Sequence, residues 1–136
     1  MISFNYETQF DLDNEIDISQ WLSRVIVSEG FKEGDINYVF CDDDYLHKLN
    51  VEFLNHDTLT DIISFDNKIG KILHGDIFIS IQRVKENAEN YHVSFSDELL
   101  RVIVHGILHY CGYKDKTEDN SRIMRDKEDF YINRIS

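Results

Sequence analysis

The chain has 136 residues, 42% hydrophobic and 29% charged, with a formal net charge of −12 at neutral pH. That length predicts a single domain over residues 1–136 with room for an ordinary core, and the composition is that expected of a soluble globular protein. No run is apolar enough to span a bilayer, no basic-then-apolar leader opens the chain, and Cys41 and Cys111 are too few for a disulfide framework, so a cytoplasmic protein without a membrane partner is expected.

The acidity is uneven. Residues 1–44 hold 11 acids and 2 bases, whereas residues 45–136 hold 15 acids and 12 bases. Nucleic-acid binding usually rests on basic surface. The charge therefore argues against it most strongly over the first third of the chain.

In chain order, residues 2–6 alternate apolar and polar and predict a strand. Asp13 or Asp17 is placed to cap a helix carrying Ile18, Trp21, Leu22, Val25 and Ile26, which Gly30 ends. Residues 37–41 predict a second strand. Asp42, Asp43 and Asp44 invite a cation-site reading, but acids at a helix start serve as caps and dipole partners, and the following helix is predicted to bury Tyr45, Leu46, Leu49 and Phe53. Residues 60–66 and 76–81 predict an antiparallel strand pair joined through Gly70. Residues 82–91 predict a helix. Ser94 or Ser96 opens the next one, whose apolar positions cover most of its circumference, so it belongs at the centre of the core. A last helix is predicted from Thr117 to about Ile132. This order gives an α+β fold, a small mixed sheet with several helices packed over it.

The central helix carries the chemistry. His105 and His109 are four residues apart, roughly 40° around a helix, so both imidazoles stand on one face one turn apart. Gly112 suits a helix-ending left-handed turn that brings Asp115 back toward the same face. Two imidazoles and a carboxylate predict one Zn²⁺ or another divalent transition metal, with an open position of the kind found in catalytic sites. Such an ion lowers the pKa of water and accepts charge on a substrate oxygen. Cys111 lies roughly 200° around the helix from His109 and reads as a structural thiol. The spacing equals that of metzincin proteases, but those enzymes need a Glu after the first His, and Gly106 stands there.

The stretch His105-Gly106-Ile107-Leu108-His109-Tyr110-Cys111-Gly112-Tyr113 closely resembles the H-G-x-L-H-L-x-G-Y-D-H signature of the YbeY family of bacterial rRNA maturation factors. Leu49-Asn50 with residues 59–65, and residues 75–80, resemble that family's L-N…P-T-D-V-L-S-F and G-D-I-x-I-S blocks, in the same order. The resemblance implies an α+β fold and a metal-dependent, single-strand-specific endoribonuclease, usually taken to use zinc. It also implies action in small-subunit rRNA 3′-end maturation and ribosome quality control. Its ligands map onto His105, His109 and Asp115, the last usually His in the family.

A family arginine that grips phosphate maps onto Leu54, and the proline of P-T-D onto Leu59. His56, Lys114 and Lys116 are the candidates for substrate binding in its place, each weighed against a plain solvated side chain. Strand alternation sets Thr60 and Ser64 on one face and Asp61, Ile63 and Phe65 on the other. Asp61 reads either as a general base in the cleft or as a turn cap. The implied partners are single-stranded rRNA and the small ribosomal subunit or one of its proteins. The competing class is a ribosome-assembly factor whose metal is largely structural.

Overall fold

The computed structural model describes residues 1–55 and 60–135. Among these, four strands and five helices follow in the order β1 (Ile2–Tyr6), α1 (Glu15–Ser28), β2 (Lys32–Cys41), α2 (Asp43–Leu54), β3 (Ile62–Asp66), β4 (Ile72–Ser80), α3 (Ile81–Tyr91), α4 (Phe95–Tyr110) and α5 (Glu118–Ile132). The strands form one mixed sheet in the order β1-β2-β4-β3. β1 and β4 flank β2 in parallel, and β3 closes one edge antiparallel to β4. This is the expected α+β architecture.

Side-chain alternation divides the sheet into two faces. Ile36, Tyr38 and Phe40 of β2 and Leu73, Ile77 and Ile79 of β4 enter the main core beneath α1 and α4. Cys41, Ile63, Phe65 and Phe78 belong to the smaller cluster that Leu46 of α2 caps. α4 is the pivot: Leu99, Val102, Ile103, Val104, Ile107 and Leu108 are all buried, so apolar contacts surround most of its circumference.

Two close approaches fix α4 on the sheet. A Cβ at Gly106 would come within 2.9 Å of the Ile77 side chain, so glycine lets the helix backbone settle onto β4. One turn on, the Tyr110 hydroxyl lies 2.9 Å from the Phe65 carbonyl and 3.1 Å from that of Asp76, bracing the helix against β3 and β4. It occupies the space over Gly75 that a side chain would need.

Several local expectations change. Asn14 stands at the N-cap of α1, in the left-handed region at φ 61° and with no side-chain cap bond, in place of an Asp13 or Asp17 cap. β2 starts at Lys32, because backbone pairing with β4 recruits a polar segment that alternation alone does not mark. In α2, Leu46 and Asn50 are buried, whereas Tyr45 and Phe53 are exposed. That helix covers only a small cluster, and their rings lie against Phe78 and Phe65 at its margin. Asp42 follows the capping reading, accepting from the Tyr45 N–H, and Asp43 and Asp44 lie in the first turn, where Asp43 also binds Ser80 and Arg83. Ser94 and Thr117 cap α4 and α5.

Candidate active site

His105 and His109 project from one face of α4, their ring centres 6.3 Å apart. Gly112 adopts φ 103°, a left-handed conformation that turns the chain back after the helix. Asp115 thereby reaches His105, its Oδ2 lying 3.2 Å from Nε2. All three side chains line one pocket of about 360 Å³.

The opposite nitrogen of His105 has a partner the sequence did not disclose. Nδ1 lies 2.8 Å from Glu128 Oε2 on α5. Glu128 is buried, and its other oxygen accepts from Arg101 at 2.9 Å, while Arg101 also binds Asp129 at 2.6 Å. A carboxylate only accepts, so Nδ1 carries the proton and Nε2 is the nitrogen presented to the pocket. This is the arrangement by which carboxylates orient metal-binding histidines. The donor set therefore fits a metal: Nε2 of His105, the His109 ring and the Asp115 carboxylate on one wall, with a carboxylate behind. Among the described residues, no three His, Cys, Asp or Glu side chains are yet closed around a common point, and His105 and Asp115 contact each other directly.

Burial draws the His105 imidazole toward neutrality, but Glu128, Asp115 and Asp61 outweigh it and hold its pKa above the usual value. Burial pushes the Asp61 carboxyl up, with His105 pulling against it. Asp61 lines the pocket together with Thr60, Ile62 and Ser64. The expected sharing of a face by Asp61, Ile63 and Phe65 does not hold. β3 begins at Ile62, so the two-residue alternation does not extend back to Asp61, whose carbonyl instead receives the Ser80 N–H at 2.9 Å. Its side chain accepts from Asn87 at 3.4 Å.

The proposed phosphate-binding residues are not gathered here. Lys114 and Lys116 flank Asp115 but are exposed and outside the pocket lining, and Leu54 at the end of α2 is outside it too. His56 and Leu59 lie outside the described residues. The pocket's cations are Arg101 and Arg125. Sequence reasoning passed over Glu98, Arg101, Arg125 and Glu128. Spacing held the only clue: Glu98, Arg101, Val102, His105 and His109 follow the three-four rhythm of one helical face.

The fold and pocket define an α+β protein with a histidine–carboxylate centre, and comparison supplies its class. Residues 2–136 match the family model described as endoribonuclease YbeY. Over 129 residues the chain is 64% identical to the endoribonuclease YbeY of Flavobacterium johnsoniae, covering 95% of this chain and 93% of that one. It is 57% identical to that of Flavobacterium psychrophilum, again over 129 residues, 95% of this chain and 92% of the relative. A Thermotoga maritima protein solved in solution superposes with a TM-score of 0.72 at 27% identity, over 99% of this chain and 89% of that one. The chain belongs to the YbeY family of endoribonucleases, hydrolases that act on RNA.

Proposed function

We propose that this protein is a zinc-dependent, single-strand-specific endoribonuclease that matures the 3′ end of small-subunit rRNA and serves ribosome quality control. The observation that carries the reading is the bond from His105 Nδ1 to Glu128, which turns Nε2 toward Asp115 in a pocket His109 also lines. His105, His109 and Asp115 would hold the ion, in place of the direct contact between His105 and Asp115. When bound, the metal supplies Lewis acidity and a water of lowered pKa. Asp61, half-buried in the same pocket, would accept the proton of the attacking water as its oxygen bonds to phosphorus and the bond to the leaving ribose oxygen breaks. Arg101 and Glu128 hold His105 in place. Gly106 provides no carboxylate beside the first histidine, which sets this site apart from a metzincin protease.

The site of action is the cytoplasm, on single-stranded rRNA, with the small ribosomal subunit or a basic ribosomal protein as partner for the acidic residues 1–44. No helix among the described residues is long and apolar enough to cross a membrane. A second reading, an assembly factor with a structural metal, draws on Asp115 and Leu54 standing where the family carries His and Arg. The experiment offers zinc-loaded protein a small-subunit rRNA fragment containing the 3′ end, single-stranded or annealed to its complement. Internal cleavage of the single strand alone supports the nuclease. Binding without cleavage favours the assembly factor.

A further inference from the structure

A second groove of about 300 Å³ adjoins the active-site pocket and shares Tyr91, Glu98, Arg101 and Arg125 with it. Three features mark it as built for a ligand. Tyr91, the last residue of α3, is 60% exposed, so a flat aromatic face stands free at the junction. Glu98 is only 5% exposed, yet its carboxylate makes no hydrogen bond or ion pair with any described residue. Arg101 and Arg125 act on its charge only through space, and Glu98 lines both cavities, where an incoming group meets it. Arg125 is exposed and has no ion pair among the described residues, whereas Arg101 is held by Glu128 and Asp129.

The charges decide which part of a nucleotide fits where. Asp97, Glu98 and Asp129 make the groove itself unfavourable for phosphate, while Val93 and Ile132 give it apolar wall. A flat, uncharged base with a hydrogen-bond donor suits it, and phosphate belongs at Arg125 on the ridge. Resting on the reading of this pocket as an RNA-cleaving site, we propose that the groove is a nucleobase subsite beside the His105 centre. Tyr91 stacks on the base, the Glu98 carboxylate accepts from its exocyclic amine, and Arg125 holds the adjoining phosphate. Cytosine offers such an amine, whereas uracil presents an acceptor oxygen at that position. The subsite therefore discriminates against uridine, although the two pyrimidines stack comparably.

The test is binding of short oligocytidine and oligouridine single strands by fluorescence anisotropy, at mildly alkaline pH to offset the upward push that burial gives the Glu98 carboxyl. The wild-type protein should prefer oligocytidine by about tenfold. Glu98→Gln, which adds an amide donor for the uracil oxygen, should bring the two affinities together. Tyr91→Ala should weaken both strands by about tenfold and Tyr91→Phe neither. Arg125→Gln should reduce the slope of log affinity against log salt by about 0.7. Equal wild-type affinities, or a preference unchanged in Glu98→Gln, overturn the subsite and leave the nuclease reading standing. Failure of the wild-type protein to bind or cleave any single-stranded RNA overturns both.

Discussion

His105 Nδ1 and the Glu128 carboxylate meet at 2.8 Å across the packing of α4 against α5. The bond settles which imidazole nitrogen faces the pocket, and Arg101 steadies the carboxylate from the other side at 2.9 Å. α5 thus contributes to the site without lending a ligand, and His105 is fixed from behind before any ion or substrate arrives.

The first prediction concerns that support. Glu128→Ala should weaken zinc binding by about 10- to 100-fold, the usual effect of losing a carboxylate behind a ligating histidine. Arg101→Met should weaken it less, because Glu128 remains. Competition with a chromophoric chelator measures both. Unchanged affinity in Glu128→Ala would mean that the bond to His105 plays no part in holding the metal.

A second prediction concerns how α4 is seated. Gly75→Ala would drive a methyl group into the Tyr110 hydroxyl and the Phe65 backbone, and should cost about 2–3 kcal/mol. Tyr110→Phe leaves the Phe65 and Asp76 carbonyls without that donor and should cost about 1 kcal/mol. Because the methyl and the hydroxyl compete for one space, the double variant should be less destabilised than the two losses added. Urea unfolding measures all three. Strict additivity would show that the two groups do not collide.

The third prediction is a pH dependence away from the site. Burial raises the Glu29 carboxyl, but hydrogen bonds from Tyr131, Tyr113 and Lys127 outweigh it and leave the pKa below the ordinary value. Tyr113 donates at 2.7 Å and Lys127 at 3.2 Å, so Glu29 ties the end of α1 to α5 and to the turn after α4. A carboxyl with a lowered folded-state pKa binds protons more readily in the unfolded chain. Its stabilisation is present above the unfolded value and fades as pH falls through the folded one. Glu29→Gln should therefore cost about 1–3 kcal/mol near neutrality and flatten the loss of stability on acidification. Parallel acid limbs in the two proteins would show that Glu29 is not part of that loss.

Much of this was legible in the sequence where periodicity and function coincide. The apolar rhythm of α4 fixed the core helix. Its two histidines share a face through local geometry alone, and Gly112 announced the turn that returns Asp115. The caps Ser94 and Thr117 were equally local. What escaped depends on tertiary register. α5 is polar along most of its length, so nothing nearby in sequence shows that Glu128 turns inward to His105 while Arg125 turns toward the groove. Asp61 was assigned to the wrong face because alternation was carried past the first residue of β3. The polar start of β2 is a strand because β4 pairs with it, not because of its own residues.

The most direct test compares zinc-loaded wild-type protein with zinc-loaded His109→Ala on a single-stranded rRNA fragment. His109 is exposed, so its removal spares the core. The account predicts internal cleavage by the wild-type protein that stops when zinc is stripped, and a loss of at least about 100-fold in the variant, the scale on which a working catalytic group is felt. Equal cleavage by the variant, or cleavage indifferent to zinc removal, would contradict it.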